Sequence, residues 1–411
     1  MPRSRLAEDS PHAIIAAFLE KFHYTDTLDA FRHETGLGFN DGPKALDLEE
    51  LLGDRRMREM QATMHATHVQ DALSTLPSWS APSGEPVKFR ETACVHGAVL
   101  NAMVVEGMVW LSYSDGAVEV RTTQSLDSKN PDHLKVGRFH PHGRSPVLSM
   151  VVDGQFLITG GMDGRILVTD VPRNGGPHVE HVQTVAKHGR YVVRLAMSSD
   201  KGFLVSASYD NTVKIFCRDR ASPACPVPAW KEERTITFAT QPEALHITED
   251  NEVIMAARSS NLLQCIKLYT GEERTINLNA VGDDHVSFSP LDIAPHPQNP
   301  NVLAIATLHP TTPFHRVVFL DLSQSRVIGD LWTDAPQNEY STPRVVWRGS
   351  GDGIWVNGDD GVLRGYDVST KRKIGVLAGH EGNVKAVWAG TVEGREVVVT
   401  GGFDKTVRLW W

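Results

Sequence analysis

The strongest constraint on this chain is that it repeats itself. Four segments align without gaps: MVWLSYSDGAVEVR (Met108–Arg121), FLITGGMDGRILVT (Phe156–Thr169), FLVSASYDNTVKIF (Phe203–Phe216) and VVVTGGFDKTVRLW (Val397–Trp410). Each is a β-rich run, a tight polar turn holding an aspartate, and a second alternating run, the pattern of a β-hairpin. The turn aspartates are Asp115, Asp163, Asp210 and Asp404, and IWVNGDDGVLRGY adds Asp360. The intervals are 48 residues from 115 to 163, 47 from 163 to 210 and 44 from 360 to 404. The 150 residues between Asp210 and Asp360 leave room for two more units. EVIMAARSSNLLQCI, with Asn261 in its turn, and VLAIATLHPTTPFHRVVFL, with a longer Pro-rich turn, bring the total to seven.

Periods slightly above the ~40–45 residues of a four-stranded propeller blade predict a mainly β chain. The expected architecture is a seven-bladed β-propeller with longer connecting loops, preceded by a short all-α segment. The 41% apolar content supports a core of that size, and 34 glycines with 23 prolines suit a chain full of turns. Expected boundaries are a helical segment over 8–37, an amphipathic segment over 46–76, a linker over 77–86 and the propeller over 87–411.

The last unit, GHEGNVKAVWAG followed by VVVTGGFDKTVRLW, resembles the WD-repeat family. In that family a His, a Ser or Thr, the turn Asp and a strand-end Trp form a buried hydrogen-bonded tetrad. The resemblance implies such a tetrad at His380, Thr400, Asp404 and Trp410. Partial sets follow at His188, Ser206 and Asp210, with Phe216 at the Trp place, and at His142, Thr159 and Asp163, with Thr169 there. The first unit keeps His96 and Asp115 but has Leu111 and Arg121. A carboxylate of this kind is costly to bury unless turn amides or a histidine donate to it, so the tetrads are structural rather than catalytic.

The last unit ends at Trp411 after its third strand, so its fourth is expected from the residues before the first unit, around Val87–Thr92. Such closure joins the ring and covers a bare sheet edge.

At the N-terminus, Ile14, Ile15, Phe18, Leu19 and Phe22 fall on one helical face, which Leu28 and Phe31 continue. Ser10 before Pro11 and Thr25 are capping candidates, and Gly36 is a helix stop. The pattern resembles the LisH motif through Tyr24, Thr27, Phe31 and Glu34, although His23 stands where that family usually has glycine. Two short helices cannot bury so many large apolar side chains alone. A homodimer through these helices is therefore expected; the alternative is packing on the chain's own propeller. Met57, Met60 and Met64 recur at helical spacing in the 46–76 segment, either extending the dimer or lying on the propeller.

The net charge of −9 argues against broad nucleic-acid or anionic-membrane binding. The first residues are charged where a secretory leader needs an apolar core, and no run approaches the ~18 apolar residues of a membrane span. Cys94, Cys217, Cys225 and Cys265 fit no common zinc spacing and suit a reducing compartment, cytoplasmic or nuclear. The Phe139-His140-Pro141-His142 stretch lacks an acidic or thiol partner for a metal, and no Walker loop or nucleophile elbow occurs. No cofactor, metal or catalytic residue is expected. The resemblance instead implies protein partners on the face carrying the Asp turns. There Met162, Arg190, Tyr191, Arg194, Tyr209, Asn383, Lys385 and Phe403 are expected to be exposed. A dimeric adaptor fits best. The alternatives are a ubiquitin-ligase recognition subunit, although no blade ends in W-D-x-R, and an enzyme or small-ligand binder using the central channel. The last would require ionisable residues that converge on the channel and lack structural partners; the sequence shows none, although loops from the fourth and fifth units could supply them.

Overall fold

The structure, a computed structural model, describes residues 19–20, 25–35, 73–79, 89–93, 97–123, 135–171, 179–219, 228–279, 288–309 and 312–411. The chain divides into two compact units, residues 1–68 and 69–411.

In the first unit, helix α1 (Thr25–Thr35) begins at the expected capping threonine. It carries Asp26 in its first turn and Arg32 and His33 in its last, charges that oppose the helix dipole. Leu28 is buried against Leu19 and Phe31, and Arg32 reaches Glu20 at 3.4 Å. Ile14, Ile15, Phe18 and Phe22 lie outside the described residues, as do nearly all of 46–76.

The second unit holds seven four-stranded antiparallel sheets, the seven blades expected. Blades 1 to 3 span Val99–Phe139, Val147–Lys187 and Val192–Thr237; blades 4 to 6 span Pro242–Asn277, Ser289–Pro336 and Val345–Leu377. Blade 7 comprises Val384–Val392, Arg395–Gly402 and Thr406–Trp410. Its outer strand is Phe89–Ala93, antiparallel to Thr406–Trp410 with Phe89 opposite Trp410 and Ala93 opposite Thr406. The ring is thus closed by an upstream strand, as the sequence predicts.

Because the side chains of a strand alternate, each blade is apolar on both faces and must pack against a blade on either side. Seven apolar clusters fill the seven gaps. Ile166, Val192 and Phe216 pack between blades 2 and 3, and Ile254, Leu303 and Val318 between blades 4 and 5. Val99, Leu111, Val399 and Leu409 seal the junction of first and last blades. Tight turns bring neighbouring blades closer still. Gly164, directly after Asp163, has φ +78°, and a Cβ there would lie 2.5 Å from the carbonyl oxygen of His188 in the connection to the next blade. Only glycine fits that turn without displacing the backbone.

Residues 73–79 are bound to the propeller side. Leu73 is fully buried between blades 5 and 6, and Trp79 is buried between blades 6 and 7. The Ser78 hydroxyl and the Trp79 amide donate to Asp367 at 2.6 and 2.9 Å. The Trp79 ring meets Trp355 edge-on at 5.3 Å and lies under the Arg348 guanidinium at 4.1 Å. Gly365 leaves the space for it: a Cβ there would come within 2.5 Å of the indole. The start of the segment expected to be a linker, Pro77 to Trp79, is therefore anchored.

Candidate functional site at the channel mouth

Turn aspartates sit at the ends of hairpins, and in blades 2, 3 and 7 they reach the histidine that leads the blade. In blade 7, Trp410 Nε1 donates to Thr400 Oγ1 at 2.9 Å, Thr400 lies 2.8 Å from His380 Nε2, and His380 Nδ1 lies 2.9 Å from Asp404. Proton counting orders this chain: the threonine hydroxyl donates to Nε2, so Nδ1 carries the proton and donates to the carboxylate. Asp404 also accepts from the amides of Glu381 and Thr406. Burial would raise Asp404, but His380 and these amides outweigh it and hold the carboxyl below its ordinary range.

His188 bridges Ser206 at 2.8 Å and Asp210 at 3.0 Å, and His142 bridges Thr159 and Asp163, both at 2.9 Å. Burial, opposed by their aspartates, lowers both histidines, so these rings are neutral at pH 7. His142 is thus engaged inside its blade while His140 is exposed, and no metal-holding cluster occurs among the described residues. In blade 1, Asp115 instead pairs with Arg138 at 2.7 Å, and His96 lies outside the described residues.

The channel mouth is built by a second repeated device. In six blades the innermost strand skips one residue when it pairs with the next: Leu100, Leu148, Val193, Glu243, Leu291 and Lys385. A β-bulge of this kind re-aims a side chain. All six line one cavity of about 220 Å³. Blade 6 contributes Arg344, just ahead of its short first strand, together with Thr342 and Pro343. The mouth is two-sided. Blades 1 to 3 present Leu100, Leu148 and Val193, with Met162 beside them; blades 4, 6 and 7 present Glu243, Arg344 and Lys385.

Beneath this ring runs an ionic lattice. Arg194 of blade 3 passes blade 4 and reaches blade 5, donating to the Leu291 carbonyl and to Asp292 at 3.0 Å each. Asp292 also takes the Arg344 guanidinium at 3.1 Å and the Val345 amide at 3.1 Å. Glu243 accepts from Tyr209 at 2.9 Å and from Arg258 at 2.7 Å. Burial and this carboxylate push the Tyr209 phenol up to about 12. Lys385 is held differently. Its ammonium donates to Thr342 Oγ1 at 2.6 Å, and among the described residues no carboxylate pairs with it. Burial, then the guanidiniums of Arg344 and Arg194, push it down to about 7.

Of the eight residues expected on the binding face, the structure brings Met162, Tyr191, Arg194, Tyr209 and Lys385 into this cavity. Tyr191 and Tyr209 lie 6.1 Å apart at the rim. Arg190, Asn383 and Phe403 are exposed outside the cavity, Asn383 reaching Asp359 at 3.4 Å. Glu243, Asp292 and Arg344 were not singled out in the sequence, which leaves the fourth and fifth units open as a source of such groups. Glu243 and Asp292 come from those two units, and with Arg194, Arg344 and Lys385 they bring five charged side chains to the channel mouth, four of them in ion pairs. The overlooked signal is a Val or Pro directly before each residue of the ring, in the pairs Val99-Leu100, Val147-Leu148, Val192-Val193, Pro242-Glu243, Pro290-Leu291, Pro343-Arg344 and Val384-Lys385.

A closed ring of seven blades, its channel crossed near one mouth by part-buried ion pairs, defines a seven-bladed β-propeller. The chain belongs to the family described as UCP007778, beta-propeller domain, whose model matches residues 148–411. No curated protein matches the chain. No helix among the described residues is long and apolar enough to cross a membrane.

Proposed function

We propose that the protein is a non-catalytic scaffold, a WD-repeat propeller dimerised through a LisH-like N-terminal segment, that binds other proteins at its channel mouth in the cytoplasm or nucleus. The observation that carries the reading is the rim itself. Tyr191, 36% exposed, and Tyr209 stand together beside Arg190 and Arg194 over a concave, two-sided floor. Exposed tyrosine beside arginine is the composition of interface anchors. The His–Ser/Thr–Asp networks of blades 2, 3 and 7 support the WD-repeat assignment. Dimerisation would place two such rims on one assembly and raise apparent affinity without a new contact.

Replacing Arg190, Tyr191 and Tyr209 together by alanine should abolish partner capture while the circular dichroism spectrum and melting temperature stay close to wild type. Unchanged capture would reject the rim as the docking face. For the dimer, light scattering should count two protomers for the full chain and one for a chain beginning at Val69, which keeps the Leu73–Trp79 strap; equal counts would remove the claim.

A second reading has its own observation. Ionisable groups converging on a channel cavity suit a small-ligand binder as well as a docking platform.

A further inference from the structure

Among the described residues, Lys385 is the cation of the channel mouth that no carboxylate pairs with. Every charged or titratable group facing it is accounted for. From blade 3 come Tyr191, Arg194 and Tyr209, from blade 4 Glu243, from blade 5 Asp292, and from blade 6 Arg344. Glu243 is taken by Arg258 and Tyr209, and Asp292 by Arg194, Arg344 and the Val345 amide. Three cations therefore face two committed carboxylates, with Thr342 the hydrogen-bond acceptor of Lys385. Holding like charges together in a concave site is unfavourable unless an anion joins them. The opposite wall of the same cavity, Leu100, Leu148 and Val193, offers nothing to an ion but suits a short apolar body. At about 220 Å³ the space is smaller than a drug-sized pocket and fits a single small group.

We propose that the channel mouth is a carboxylate site: it takes one carboxylate carried on a short apolar stem, the carboxylate against Lys385 and Arg344 and the stem against Leu100, Leu148 and Val193. The carboxylate can belong to a free small acid or to an acidic side chain of a docked segment; the chemistry that recognises it is the same. This deepens the docking reading of the rim but is measured separately from it.

The test uses the full chain and needs no variant for its first arm. Lys385 is labelled with an amine-reactive acetyl ester at pH 7 and its rate read by peptide mass spectrometry, with exposed Lys267 as the internal control. Sodium hexanoate should slow Lys385, because a bound anion that raises an amine by ~1 pKa unit cuts its free-base fraction about five- to tenfold. Hexanamide, of the same shape without charge, should leave the rate unchanged, and neither should affect Lys267. A blocked pentapeptide with one central glutamate between alanines forms the second arm. Protection by hexanoate alone assigns the site to free acids, and protection by the peptide alone assigns it to a docked segment. Protection by both supports the shared chemistry. Protection by hexanamide equal to that by hexanoate, or protection by neither acid, overturns the proposal.

A saturation-transfer NMR measurement adds a second readout. Hexanoate binding should weaken severalfold from pH 6 to pH 9 as the ammonium is lost, and Lys385→Gln should remove that pH dependence. Partner capture and hexanoate protection can fail independently, so loss of one leaves the other interpretable.

Discussion

Blades 2, 3 and 7 and blades 4 and 5 solve one packing problem by different means. In the first group a buried histidine ties the hairpin turn to the inner face through Ser or Thr and Asp, as at His380, Thr400 and Asp404. In blade 4 the corresponding turn holds Asn261, whose side chain makes one exposed bond to Asn277 at 2.7 Å. Its stability comes instead from apolar burial, with Ile254, Leu263 and Cys265 between blades, and from the Glu252–Arg274 pair at 2.6 Å. Among the described residues blade 5 likewise shows no histidine–aspartate link. Thr307 donates to the Arg316 carbonyl at 2.8 Å and Gln337 clips the long turn by donating to the His309 and Thr312 carbonyls. The polar lock is one way to hold a blade, not a condition for having one. Blades 4 to 6 carry Glu243, Asp292 and Arg344, three of the five charged groups at the channel mouth; Arg194 and Lys385 come from blades 3 and 7, which have the lock.

The comparison is broken most forcefully at the turns. Asp404→Ala would take the carboxylate from His380 Nδ1, leaving it Thr406 Oγ1 at 3.1 Å, and would remove the acceptor of the Glu381 and Thr406 amides in the same step. Losing the carboxylate that a buried histidine and two turn amides share should cost about 1–3 kcal/mol in chemical denaturation. Asn261→Ala, at the equivalent turn of blade 4, should cost less than about 1 kcal/mol, since it removes a solvent-exposed contact. Similar losses at the two sites would mean that the lock contributes nothing beyond a surface turn.

The same division governs what the sequence discloses. Hairpins with an aspartate turn recur in the primary structure because the lock needs particular atoms at fixed spacing, so five blades, and the strand that closes the ring, are readable without coordinates. Blades 4 and 5 are found by counting the residues left over, since apolar packing leaves no signature beyond β-rich runs. Arg194 and Lys385 are recognisable as exposed-face candidates from their places after a blade-leading histidine. Glu243 and Asp292 are not, because no turn aspartate marks the register of their blades, and Arg344 is not, because its blade has the turn Asp360 but no leading histidine before it. What aims most of the ring residues is a one-residue slip in strand pairing, and a slip is visible only once the partner strand is known. Trp79 escaped for a related reason: it lies in a Pro- and Ser-rich stretch, and the glycine that makes room for it, Gly365, is almost three hundred residues away.

Blade 7 lies on both sides of the comparison, with a complete polar lock at its turn and an unbalanced cation at its inner strand, so Lys385 gives the smaller and sharper test. Its ordinary value is 10.5 and its folded value about 7. Below pH 7 the ammonium is charged in both states and the folded state bears its desolvation. Between 7 and 10.5 the folded protein releases the proton while the unfolded chain keeps it, so stability rises with pH. Above 10.5 the two states no longer differ. Lys385→Met should therefore stabilise the protein most at pH 6, with the gain fading toward pH 10.5. The full shift corresponds to ~5 kcal/mol, but a cavity open to water screens part of it, and about 1–2 kcal/mol is expected. Urea titrations of both proteins at pH 6, 8 and 10 measure it. A gain of the same size at all three would trace the effect to the added apolar contact rather than to the relieved charge, and the channel mouth would then hold no excess of cations for an anion to satisfy.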